Sequence, residues 1–290
     1  MNSPYQNLNE DQWLLRHAED VCSQSGEDGI LRKIFEVIPP ANRWCVEFGA
    51  WDGKTCSNTH ALMQDGKWSG VFVEADRERF RDLLETYRGN PGAHCVNCFV
   101  TFEGENSLEH LLSRTEIPGN FDLLSIDIDG NDFHVWESLR LYQPRVVVIE
   151  FNPTIPSEVE FVQPRDMRVQ QGSAPLSLIK LGKQKGYEPV CITSLNVIFV
   201  RTELFPSFHI ANNDIRRLRP DHPRFHLFQL YDGTFVVTGC QDVLWQGIPI
   251  RQEKFQVLPK MFRAFPSESL NRWKRFLRRI WSFLYRRGLG

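Results

Sequence analysis

Acidic residues recur at the ends of apolar, strand-like runs in this chain. The run Trp44 to Phe48 leads through Glu47 into Gly49-Ala50-Trp51-Asp52-Gly53, and the run Gly70 to Glu74 leads into Ala75 and Asp76. Phe121 to Ile128 carries Asp127, with Asp129 and Asp132 just beyond, and Arg145 to Phe151 carries Glu150, followed by Asn152. Ligands of open α/β sheets bind at the carboxyl ends of the strands. A glycine there lets the backbone turn tightly and approach a ligand. Glu47 suits a cationic partner, and an acid in the place of Glu74 accepts hydrogen bonds from a ribose diol. Their separation fits one βαβ unit. The plainer reading makes Glu47 a turn residue and Glu74 a neighbour of a helix N-cap. No GxGxxG is present, which disfavours a dinucleotide and an NAD-dependent oxidoreductase.

Asp127 and Asp129, taken as part of one extended strand, point the same way. Two such carboxylates hold a cation, or share a proton so that one works as a general base. Asp132 reads as a first-turn helix residue, where an acid is favourable in any case. His134 follows one turn into that helix, as a second candidate base or a structural histidine. Asp129, Glu150 and Asn152 offer oxygen ligands for Mg2+ or Ca2+, although the reading adopted is catalysis without metal. Ser23 to Gly29 reads equally as a capped helix start and as a segment folding over the ligand's edge.

These residues need a sheet to hold them. Apolar runs at 44–48, 70–74, 94–100, 121–128 and 145–151 alternate with helical patterns at 54–66, 77–88, 106–114 and 131–142, which implies a parallel sheet. Arg145 to Ile149 is apolar throughout after its first residue, as for a strand covered on both faces. A helix over 173–186 and two strands at 187–192 and 195–201 follow, the last pair as an antiparallel edge hairpin. The Pro-rich stretch Asn152 to Arg168 is long enough to be a lid or substrate loop. Before the sheet lie a leader helix over 1–21 and a helix through Ile30, Leu31, Ile34, Phe35 and Ile38, ended by Pro39-Pro40. After it, 229–237 reads as a hairpin turning at Asp232-Gly233. The expected divisions are an N-terminal helical leader (1–40), the ligand-binding sheet domain (41–204), an irregular extension packed on it (205–266) and a terminal helix (267–290).

The 290 residues carry a net charge of −2, which gives no general reason to expect nucleic acid. Seven scattered cysteines, with one CxxC at Cys95–Cys98 and no second pair, read as small apolar residues in a reducing, cytoplasmic setting. The one local imbalance is at the end. Leu270, Trp273, Leu277, Ile280, Trp281 and Leu284 fall on one helical face, with Arg272, Lys274, Arg275, Arg278, Arg279, Arg286 and Arg287 largely elsewhere and no acid after Glu268. A basic amphipathic helix of this kind suits an anionic membrane surface through residues 270–287, or a face of the protein itself.

The chain resembles the FkbM-type family of class I S-adenosylmethionine (SAM) dependent methyltransferases. Glu47, Gly49, Ala50 and Gly53 match its first motif, Ile126-Asp127-Ile128-Asp129-Gly130-Asn131-Asp132 its strand-four motif with Asp for Glu, and Gln24 to Asp28 the stretch before the first strand. The match covers about residues 22–155. Trp51 departs from the small polar residue usual there, and 156–266 lies outside the match. The resemblance implies a Rossmann-like, mostly parallel sheet with an antiparallel edge hairpin, SAM held by Glu47, Gly49, Ala50, Gly53, Glu74, Ala75 and Asp76, and methyl transfer to a hydroxyl of a sugar, glycan or secondary metabolite. Asp129, His134 and Asp127 are the candidate bases. The competing expectation is a membrane-associated scaffold that keeps the fold without the chemistry.

Overall fold

A computed structural model describes residues Tyr5 to Arg219 and Phe225 to Gly288. The chain divides into two compact units, with the boundary after Asp221.

The first unit is built on a seven-stranded sheet. Its strands are β1 (Trp44–Phe48), β2 (Ser69–Glu74), β3 (Ala93–Asn97), β4 (Leu123–Ile126), β5 (Val146–Glu150), β6 (Tyr187–Ile192) and β7 (Asn196–Arg201), in the order β3-β2-β1-β4-β5-β7-β6. The first five are parallel, and β7 runs antiparallel to both β5 and β6. This is the Rossmann-like arrangement with an antiparallel edge hairpin that the sequence predicts. Helices α1 (Glu27–Val37), α2 (His60–Met63), α3 (Arg77–Thr86), α4 (Leu108–Leu112), α5 (Asp132–Ser138), α6 (Pro175–Gln184) and the short α7 (Ile215–Leu218) flank or follow the strands. Val146 to Ile149 are fully buried, because helices on both faces leave no polar side for β5. One buried acid secures the strand entrances. Asp122, just before β4, accepts hydrogen bonds from the amides of Ala41, Asn42 and Arg43 at 2.6–2.8 Å and from the Arg145 guanidinium at 2.8 Å. It therefore joins the starts of β1, β4 and β5.

Three local expectations are corrected. The leader is a 3-10 helix over Glu10–His17, opened by a capping box on Asn9, and residues 18–25 instead wrap around Asp28. The Asp28 carboxylate accepts the amides of Val21, Cys22 and Ser23. The helix expected over 54–66 is only α2, because Ser57, Asn58 and Thr59 bond to Glu47 and hold 54–59 as a loop. The boundary expected at 204/205 falls later, because 205–219 packs on the first unit. Phe208, Ile215 and Leu218 are buried there, the Trp13 indole donates to the Phe208 carbonyl, and Arg217 pairs with Asp11 at 2.9 Å.

The second unit contains the hairpin of β8 (Phe225–Gln229) and β9 (Phe235–Gly239), which turns at Asp232-Gly233 as the sequence predicts. A two-residue pairing of β10 (Asp242–Val243) with β11 (Ile248–Pro249) follows. The terminal helix α8 (Arg272–Tyr285) belongs to this unit rather than standing alone, and its Trp281 ring lies 6.2 Å from that of Phe262.

Candidate active site at the carboxyl ends of β1, β2, β4 and β5

The strand order reverses between β1 and β4. The crevice outside their carboxyl ends is where such sheets take ligands. Gly49 forms its floor. Its φ is +73°, and a Cβ there would lie 1.6 Å from the Asp127 carbonyl oxygen. Only glycine lets the end of β1 pass this close to the end of β4. The turn continues with the Ala50 amide bonded to the Val73 carbonyl at 3.1 Å and the Gly53 amide to the Ala50 carbonyl at 2.7 Å. Gly53 also has positive φ, and Leu83 and Tyr87 of the α3 region occupy the space beside it. Trp51 is half exposed at the rim, with the Arg79 guanidinium 4.3 Å over its ring.

Glu74 links the turn to β2. One carboxylate oxygen accepts the Trp51 amide at 2.8 Å and the other the Asp76 amide at 2.7 Å. Each oxygen keeps a lone pair for another donor. Ala75 and Asp76 are exposed beside it, and Asp76 caps α3 by accepting the amides of Glu78 and Arg79.

Glu47 is directed inward. Its carboxylate takes the Ser57 hydroxyl at 2.6 Å, the Thr59 hydroxyl at 2.7 Å and the Asn58 amide at 2.8 Å. Burial pushes this carboxyl up to about 7, against the pull of those three donors. Its structural work is to fold the 54–59 loop onto the end of β1.

The acids at β4 and β5 do converge, but not through strand alternation. Strand β4 ends at Ile126, and Asp129 sits in the left-handed region at φ +56°. Asp132 imposes that turn by accepting the amides of Ile128 at 2.9 Å and Gly130 at 3.0 Å. Asp132 is itself buried, which raises its carboxyl to about 7. The turn brings Asp129 back beside Asp127 and Glu150, so that one oxygen of each lies within 4.8 Å of the others. Burial raises both Asp127 and Glu150, Glu150 the more, and the two carboxyls are hydrogen-bonded to each other. Asp129 is the exposed member.

Two expected participants lie elsewhere. The His134 Nε2 is 2.8 Å from the Gln163 carbonyl, and its ring packs edge-on against Phe102 and Phe133. Asn152 is absent from the cluster because its carboxamide is used locally, accepting from Thr154 and donating to the Gln171 carbonyl. Both residues hold the 152–172 segment. Asn131 donates to the Asp166 and Val169 carbonyls, and the Gln163 side chain accepts the amides of Gln171 and Gly172.

Within the Ser23–Gly29 segment, Glu27 has a role that its place in the first turn of α1 does not suggest. Glu27, fully buried, accepts from the Thr193 hydroxyl, the Asn196 carboxamide and the Ser25 amide, and so ties α1 to the β6–β7 turn. Its charge helps to raise Asp127. Ser57, Thr59 and Gln163 are polar loop residues whose side-chain partners lie within about a dozen residues, and no spacing rule marks them.

No family model matches the chain, and no curated protein does. Among solved structures it is similar to the N-terminal domain of EvdMO1 in the presence of SAH and D-fucose, at 13% identity over 60% of this chain and 82% of that one, with a TM-score of 0.40. The CurJ carbon methyltransferase is 11% identical over 60% of this chain and 52% of that one, with a TM-score of 0.41. A SAM-dependent methyltransferase from Aquifex aeolicus is 9% identical over 67% of this chain and 98% of that one, with a TM-score of 0.38.

Proposed function

We propose that this chain is a SAM-dependent methyltransferase of the FkbM type, acting on a hydroxyl of a sugar, glycan or secondary metabolite. The observation that carries the reading is the acid-lined crevice at the β1/β4 reversal, floored by Gly49 and flanked by Glu74. SAM brings a sulfonium and an ammonium, which suit a rim of carboxylates, and a ribose diol, which suits the free lone pairs of Glu74. Gly49, Ala50 and Gly53 let the cofactor lie against the backbone. Glu47 supports this turn from below, and Asp76 fixes the start of α3 beside it.

The transfer is an in-line displacement. The acceptor oxygen attacks the methyl carbon, the C–S bond breaks with its electron pair going to sulfur, and the hydroxyl proton leaves to a base. Orientation of the two reactants supplies most of the rate. Asp129, exposed beside the hydrogen-bonded Asp127–Glu150 pair, is the base in this reading. Asp127 relays charge within the pair, and His134 is a positioning residue. The grouping of Asp127, Asp129 and Glu150 also favours a second reading, in which these oxygens hold a divalent cation that lowers the hydroxyl pKa. Work in the cytoplasm, at the inner membrane face when residues 270–287 engage it, completes the proposal.

The test is transfer of labelled methyl from SAM to a panel of hydroxylated acceptors, with and without a chelator. Transfer to any hydroxyl supports the reading, and its loss with chelator selects the metal-assisted form. Label appearing only on carbon or nitrogen acceptors would reject O-methylation.

A further inference from the structure

The terminal helix α8 carries its most apolar stripe away from its own unit. At 100° per residue, Trp273, Phe276, Ile280, Phe283 and Leu284 fall on one side of the helix. All are exposed, Trp273 at 65%, Phe283 at 54% and Phe276 at 52%. The opposite side, with Leu277, Arg278, Trp281 and Ser282, is the partly buried one. A helix that served only to close its unit would bury the apolar side instead. Arg272, Arg279 and Arg286 border the exposed stripe, and the Arg287 guanidinium lies 4.1 Å over the Phe283 ring. Seven Lys and Arg side chains occur between 272 and 287, and the last acid is Glu268. The same unit exposes a stacked pair, Tyr231 and Phe265, with ring centroids 5.1 Å apart. On the helix side facing its unit, the Arg278 Nη1 is buried without a hydrogen-bond partner. It lines a cavity of about 360 Å3 with Tyr231, Phe235, Trp281, Tyr285 and Arg286.

We propose that the second unit docks on an anionic lipid surface. The Trp273–Leu284 stripe enters the boundary between headgroups and acyl chains, and the bordering arginines meet lipid phosphates. Charge decides the occupant. A row of arginines along one edge of an apolar stripe, on a helix without an acid, repels a second copy of the same helix and attracts an anionic leaflet. The attachment is peripheral, because among the described residues no helix is long and apolar enough to cross a membrane. The inference is independent of methyl transfer, since no residue of the β1/β4 crevice enters it.

Co-flotation of the full chain with vesicles tests it, using phosphatidylcholine alone and phosphatidylcholine mixed with phosphatidylglycerol. The chain floats with the mixed vesicles and not with the neutral ones, and raising the salt releases it. Each basic residue near such a surface contributes about fivefold in partitioning. Arg279→Glu with Arg286→Glu therefore lowers recovery more than tenfold, and Phe276→Asp with Phe283→Asp abolishes it. The substituted stripe residues are exposed, so melting curves should match the parent chain. Absent flotation, or equal flotation on both vesicle types, overturns the proposal whatever the variants do. So does a stripe variant that turns an oligomer into a monomer in sedimentation while vesicle recovery stays unchanged.

Discussion

Asp127 and Glu150 stand at the ends of two adjacent parallel strands and share a hydrogen bond between their carboxyl groups. Burial pushes both toward the protonated form, with the Asp129 charge adding to this at Asp127 and the Asp127 charge at Glu150, so the pair carries less than two negative charges near neutrality. The exposed Asp129 beside them is the charge most available to an acceptor. Replacing Asp129 by Asn should lower kcat by about 10^2 to 10^4 while changing S-adenosylhomocysteine affinity less than about tenfold. An unchanged kcat removes Asp129 as the base.

Buried carboxyls also set an unusual pH dependence of stability. Unfolded Glu and Asp lose their protons near pH 4. Folded Glu47 and Asp132 keep theirs to about 7, chiefly because burial disfavours the charged form. Between these values the folded state binds more protons than the unfolded one, so stability falls as pH rises from about 5 toward 8. The slope is on the order of 1 kcal/mol per pH unit for each such group. Urea midpoints at pH 5 and pH 8 check this, with the lower midpoint expected at pH 8 and a smaller difference in Glu47→Gln. A midpoint that rises with pH contradicts the assignment.

Gly49→Ala should be severe. The new methyl would meet the Asp127 carbonyl at 1.6 Å, and the backbone is already in the left-handed region. Backbone on both sides of the clash cannot yield cheaply, so a loss above about 3 kcal/mol is expected. Thermal unfolding measures it, and a variant as stable as the parent would show that β1 and β4 can separate.

Asp122→Ala should cost about 3–5 kcal/mol, since it leaves the Arg145 guanidinium and three amides without their shared acceptor. Denaturant titration reads this directly. The effect should be on stability alone, with ligand affinity of the folded fraction retained, because Asp122 lies at the amino ends of the strands.

The framework of the sheet was legible because its signals are local. Apolar runs such as Val146 to Ile149, broken at regular intervals by helical patterns, fix strand identity, and the near-adjacent runs at 187–192 and 195–201 mark the hairpin. The candidate site was legible as a set of acids but not as an arrangement. Asp127 and Asp129 meet Glu150 through a left-handed turn enforced by Asp132, not through strand alternation, and period-two reasoning cannot see such a turn. Likewise Glu47 reads as a ligand residue until its hydrogen bonds to Ser57, Asn58 and Thr59 are known. His134 and Asn152 were misplaced for the same reason. Their partners, the Gln163 and Gln171 carbonyls, belong to a long loop whose path no residue pattern dictates. The 205–219 segment joined the first unit through Phe208, Ile215 and Leu218, which are too few and too irregularly spaced to announce a core.

Binding of S-adenosylhomocysteine by calorimetry, beside NAD as control, tests the central claim most directly. The chain should bind S-adenosylhomocysteine and not NAD, and Glu74→Ala should weaken that binding by about 1–3 kcal/mol while the fold is kept. No binding of either SAM or S-adenosylhomocysteine would contradict the account and leave a scaffold with an empty methyltransferase-like sheet.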